Sequence, residues 1–142
     1  MNMIVKNNAL AEYQKNGTQA GIDSASPHRL IQMLMEGALD KLAIAKGHIT
    51  QGNIAGKGAH ISWAIAIIDG LKTSLDKSAG GDIAENLDAL YEYMQKTLLE
   101  ANLNNNIEQV EEVSQLMLTI KDGWDNIPED FKVPGAVQRP VK

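Results

Sequence analysis

An all-α fold, an antiparallel four-helix bundle with a short N-terminal helix or arm, is what this sequence predicts, on three observations. Apolar residues recur at alternating steps of three and four through four long segments, the spacing of a single buried helical face. Short runs of turn and cap residues separate the segments, and short connections make sequential helices neighbours. The palette is aliphatic: 44% of the 142 residues are hydrophobic, yet only two Trp, three Tyr and one Phe occur. That mixture suits helices better than sandwiches.

Residues 1–25 read as an N-terminal arm with a short helix, 26–127 as the bundle, and 128–142 as a disordered tail. The first bundle segment opens at Ser26-Pro27, where Ser accepts from orphan N–H groups and Pro at N1 loses nothing by lacking its own. It runs to about Thr50 with the seam Ile31, Met35, Ala38, Leu42, Ala45 and Ile49, and Gly52 breaks it. The second is expected from about Asn53 to Lys77 on Ile61, Ala64, Ile68, Leu71 and Leu75, ended by Gly80-Gly81. Asp82 with Glu85 resembles a capping box for the third. Its expected seam is Ile83, Leu87, Leu90, Met94, Leu98 and Ala101. The turn Asn104-Asn105-Asn106 supplies a cap for the fourth, with seam Val110, Val113, Met117, Ile120 and Trp124, closed by Pro128.

Composition excludes several function classes. With no Cys, structural disulfides and thiolate metal sites are ruled out. The formal net charge is -5, and residues 1–131, with 10 bases and 18 acids, carry -8, which argues against a nucleic-acid surface. Apolar runs such as Ile61 to Ile68 are far too short to span a membrane, and no secretory signal is recognised at the N-terminus, so a cytoplasmic location is expected.

Catalytic chemistry is not suggested. Di-iron bundles use Glu-x-x-His, but the residues three before His28, His48 and His60 are Ala25, Ala45 and Lys57. These histidines are therefore read as solvated helix-end residues. Gly56-Lys57-Gly58 lacks the upstream Gly spacing, the hydroxyl residue after Lys and the preceding strand of a phosphate loop. No catalytic residue, metal or cofactor is assigned.

Apolar surface is in excess instead. The second segment spreads its apolar residues, with Trp63, over roughly 200 degrees, against ~100 degrees for one buried face. The first has another row, Leu30, Met33, Gly37 and Ile44, away from its seam. Gly37 costs about 1 kcal/mol against Ala in a helix, a reason to look for a close approach there. Tyr91 and Asn102 share one edge of the third segment, where a ring with a polar tip beside an amide suits a half-wet recognition edge. Two readings stay open: a more central second helix, or a groove for a partner's helix.

Tyr13 is followed after ten residues by Ser24-Ala25-Ser26-Pro27, then Leu30-Ile31, Met33-Leu34 and Gly37. Further on come Ala64-Ile65, Ile67-Ile68, Leu71, Ser74-Leu75-Asp76, Asn86-Leu87, Leu90-Tyr91, Met94, Leu98, Ala101-Asn102, Val113 and Trp124. In order and spacing these resemble the flagellar secretion chaperone family (FliS), from Tyr13 to about Ile127. Met35 stands where the family commonly has an aromatic residue, and Trp63 where it often has a polar or charged one. The resemblance implies a cytoplasmic export chaperone, not an enzyme, that holds the C-terminal segment of flagellin in an apolar helical groove. It would thereby prevent premature polymerisation and keep flagellin competent for type III export. Carried over, the partner-binding residues are Tyr13, Leu30, Leu34, Gly37, Ile67, Ile68, Leu71, Asn86, Tyr91, Leu98 and Asn102, with Tyr13 expected to lie on the bundle in the free protein. Export-gate components or flagellar regulators are further partners the resemblance admits. Two alternatives stand beside it: a homodimer through the extra apolar face with Trp63, and a cofactor-binding bundle.

Overall fold

The computed structural model describes residues 25–127. They form four helices: α1 Pro27–Gln51, α2 Ile54–Thr73, α3 Lys77–Asn104 and α4 Ile107–Asp125. Each packs on the next, and α4 returns to pack on α1, which closes a four-membered cycle. Short turns reverse the chain after each helix, so neighbours run antiparallel. The α1 and α2 pair is the most extensively packed and the α3 and α4 pair the least. Among the described residues no helix is long and apolar enough to cross a membrane. The expectations for the arm up to residue 24, including Tyr13, and for the tail from Pro128 lie outside the described residues.

All four helices begin with the same device, a side-chain oxygen accepting the N–H three residues on. Ser26 accepts from Arg29, Asn53 from Gly56, Asp76 from Ala79 and Asn106 from Gln109. Asn106→Ala is expected to cost about 1 kcal/mol and lower the melting temperature by roughly 3–5 °C for a domain of this size, read by thermal circular dichroism.

The boundary between α2 and α3 corrects the sequence expectation. α2 stops at Thr73, because Leu75 turns into the core and the Ser74 hydroxyl donates to the Leu71 carbonyl at 2.7 Å. Asp76 then caps α3 six residues before Asp82. Gly80-Gly81 does not end α2; it lies inside α3. Gly81 takes φ 55° and ψ -134°, a backbone conformation in which a Cβ is strained, and separates one opening turn from the long body of the helix. The two glycines mark a break, but not the break between helices.

The core takes the expected seams of α1, α2 and α4, with Ile49 and Ile120 half-buried at its margin. On α3 the buried row is Ala84, Tyr91, Met94, Leu98 and Ala101, whereas Ile83 and Leu90 are 60% and 36% exposed. Tyr91 is fully buried, which overturns its placement on a half-wet edge and pushes its hydroxyl well above the ordinary tyrosine range.

His28 also departs from the solvated helix-end reading, at only 4% exposed. Its ring stacks on Trp124, centroids 4.8 Å apart and planes 9° from parallel. His28 Nε2 donates to the Trp124 carbonyl at 2.8 Å, and Trp124 Nε1 donates to the His28 carbonyl at 3.0 Å. The pair joins the first turn of α1 to the last turn of α4. His48 and His60 are half-buried between α1 and α2, their rings 5.2 Å apart. His48 lies against Gly56, where an added Cβ would come within 2.7 Å of the ring, so the glycine is what lets the two helices meet there.

Candidate partner-binding surface

The carried-over residues do not assemble into one groove. Leu30, Ile68, Leu71, Tyr91 and Leu98 belong to the buried core, so they support the surface from beneath and do not line it in this conformation. The five pack with the core cluster, beneath the surface that the remaining candidates share. Leu30 thereby also leaves the extra row of α1, whose remaining members Met33 and Gly37 are half-buried and Ile44 exposed. Asn86 is exposed on the flank of α3 that faces α4, three and seven residues from Ile83 and Tyr93. Asn102 is half-buried near the far end of α3, close to Gly58 of α2.

Three of the candidates do come together. Leu34 and Gly37 on α1 and Ile67 on α2 are half-buried along the outer side of the α1–α2 seam. A Cβ at Gly37 would meet only Ile67 Cδ1, at 3.5 Å, an ordinary contact, so no close helix approach demands this glycine. The missing side chain leaves a shallow dip over Ile67 instead. Ile44 and the 53% exposed Trp63 extend the strip, and Lys41 Nζ stands 3.9 Å from the Trp63 ring centroid. That cation–π contact holds the indole against the surface.

Two features were not anticipated. Lys57, set aside as a failed phosphate-loop lysine, is buried and caps α3: its Nζ donates to the Asn102 carbonyl and to Asn105 Oδ1, both at 2.7 Å. A lysine flanked by two glycines in an apolar segment is the signal that could have suggested a cation laid against a neighbouring backbone. Leu99 and Leu103, four residues apart and off the buried row, are also exposed, Leu103 by 82%.

Charge is divided by helix. α1 and α2 together carry five bases and three acids, net +2, while α3 and α4 carry three bases and ten acids, net -7. Several acids are tied up in pairs. The Lys121 ammonium, donating to Asp125 at 2.7 Å, holds that carboxyl below the usual carboxylate range, and Lys46 does the same for Glu111 across the α1–α4 seam. Among the described residues no three His, Cys, Asp or Glu side chains gather where a metal ion could be held.

The model of the family described as flagellar protein FliS matches residues 8–130. The chain belongs to the FliS family. Curated relatives agree along most of their length. The flagellar secretion chaperone FliSB of Pseudomonas aeruginosa is 48% identical over 119 residues, covering 84% of this chain and 94% of the relative. The flagellar secretion chaperone FliS of Salmonella typhimurium is 45% identical over 116 residues, 81% of this chain and 86% of the relative. The FliS chaperone of Escherichia coli is 41% identical over 130 residues, 91% and 93% respectively. The FliS match takes in all four helices, so the α1–α2 strip belongs to a chaperone scaffold.

Proposed function

We propose that this protein is a cytoplasmic flagellar secretion chaperone that holds the C-terminal segment of flagellin against the outer α1–α2 face. The observation that carries the reading is the strip of Leu34, Gly37, Ile44, Trp63 and Ile67, a shallow apolar track on the most extensively packed helix pair of a FliS-family chain. An apolar track with a dip at Gly37 suits one face of an amphipathic helix, whose side chains anchor at steps of three and four. Covering the polymerising helices of flagellin in this way would keep them from assembling early. A segment that orders only on binding gives up entropy at that moment, so it is held with moderate affinity per unit area and stays releasable at an export gate.

Titration calorimetry with a peptide of the flagellin C-terminal segment is the test. One-to-one binding at micromolar concentrations is expected, and Gly37→Leu, which fills the dip, should weaken it at least about tenfold, or 1.4 kcal/mol, with the fold intact. Absence of heat at micromolar peptide would overturn the reading. Binding unaffected by Gly37→Leu would move the client to another face.

A further inference from the structure

We propose that residues 131–142 dock back onto the open α3–α4 seam of their own chain, shielding an apolar trough distinct from the α1–α2 client face.

The trough is built from the least extensively packed helix pair. Tyr93 donates its hydroxyl to Glu112, and Gln109 donates to Glu100 at 3.0 Å, which sets these flanks of α3 and α4 opposite one another. Leu90 and Ile83 continue the Tyr93 flank toward the start of α3 at steps of three and seven, and Leu116 and Ile120 continue the Glu112 flank at steps of four. Because the helices are antiparallel, both rows run toward the same end of the bundle. Ile83, Leu90 and Tyr93 are exposed, and Leu116 and Ile120 only half-buried, so the rows flank an apolar channel open to solvent.

The two helices hold ten acids against three bases; Asp88 and Glu92 pair with Lys72 of α2 and Glu111 with Lys46 of α1, while Glu100 and Glu112 stand on the seam itself, accepting from Gln109 and Tyr93. Two of those bases are already engaged: Lys77 pairs with Asp88, and Lys121 with Asp125 and Glu36. A fitting occupant is apolar at short intervals, cationic between, and free of acids. Residues 131–142 have that composition: Phe131, Val133, Val137 and Val141 alternate with Lys132, Arg139 and Lys142, and no acid occurs. Pro134 and Pro140 favour extended backbone, which presents side chains without needing a helical period.

Position and reach agree. α4 ends at Asp125, and Ile127 is packed against the core at the pole where Ile83 and Ile120 lie, so the described chain ends four residues before Phe131 at the mouth of the channel. Twelve extended residues span up to about 40 Å, against about 30 Å of α3 from Asp82 to Asn102. The segment also falls beyond the family match, which ends at residue 130, so this cover belongs to the part of the chain outside that match.

The absence of Cys makes a site-directed spin label clean. With a nitroxide on Val137→Cys in the full chain, the methyl signals of Leu90, Leu116 and Ile120 should lose more than about half their intensity, while those of Ile44 and Ile54, on other faces, persist. Raising NaCl to about 0.5 M should restore the signals, because exposed charge pairs are screened at that ionic strength. Ile83→Glu, an exposed position that leaves the core untouched, should restore them too. No broadening, or equal broadening at Ile44 and Ile54, overturns the proposal. Broadening between a spin-labelled chain and a separate isotope-labelled one would place the segment on a second copy and overturn docking in cis. None of these readouts involves flagellin, so failure here is separable from failure of the client reading.

Discussion

Trp124→Ala is expected to destabilise the bundle by about 3–5 kcal/mol, a large share of the roughly 5–15 kcal/mol typical of a domain. Two losses combine. The indole is buried and stacked on His28, so truncation leaves a cavity between α1 and α4. It also removes the Nε1 donor to the His28 carbonyl, leaving His28 at a pole with less cover. Thermal unfolding followed by far-ultraviolet dichroism should show a fall of roughly 12 °C or more. Trp124→Phe keeps most of the stacking and gives up one hydrogen bond, so about 1 kcal/mol beyond the change in packing is expected. A shift of only a degree or two for the alanine variant would show that the ring pair is not a structural joint.

The second large effect is expected at Lys57. Its ammonium sits where the last carbonyls of α3 lack intrahelical partners and where the helix dipole is negative. Asn105, at φ 53°, supplies the second acceptor from a left-handed C-cap. Lys57→Met keeps the aliphatic stem and removes the donor, and should cost about 1.5–3 kcal/mol, the worth of hydrogen bonds from a charged group. Urea unfolding measures this. A cycle with Asn105→Gly separates the parts. Glycine relieves the left-handed backbone in either background, so the loss of the Lys57 contact should appear as a coupling of about 0.5–1.5 kcal/mol. A Lys57→Met cost below about 0.5 kcal/mol would show that water satisfies the end of α3 equally well.

Three of the four helix starts and three of the four buried rows were legible because both depend on local chemistry: a cap oxygen three residues from its N–H, and apolar steps matched to 3.6 residues per turn; the start of α3, expected at Asp82, lies at Asp76. The third helix was harder for a physical reason. The row Ile83, Leu87 and Leu90 and the row Ala84, Tyr91 and Met94 are both periodic, and hydrophobicity alone favours the first. The interior accepted Ala84 where space is short and Tyr91 where a ring fills it, a choice made by the facing helices. The Gly80-Gly81 signal was real but local: it reports backbone conformation, not the place where the chain turns. For the candidate surface, a family pattern marks residues that matter without separating those that pack from those that touch a partner. Leu30, Ile68, Leu71, Tyr91 and Leu98 are buried in the core cluster, and Leu34, Gly37 and Ile67 lie on the accessible side. The burial of His28 and of Lys57 was not legible, because a polar side chain is solvated by default in sequence and their partners lie 96 and 45 residues away.

The ring-to-carbonyl exchange between His28 and Trp124 also bears on how the molecule opens. Terminal turns of helices ordinarily fray one at a time, with opening energies near zero. Here the first turn of the first helix and the last turn of the last are each other's support, so neither can loosen while the other stays closed. Amide exchange at the two ends of the described chain should therefore follow a single opening event. A pull on either terminal segment would reach both ends at once, making the pole from which the chain enters and leaves the bundle a single cooperative unit.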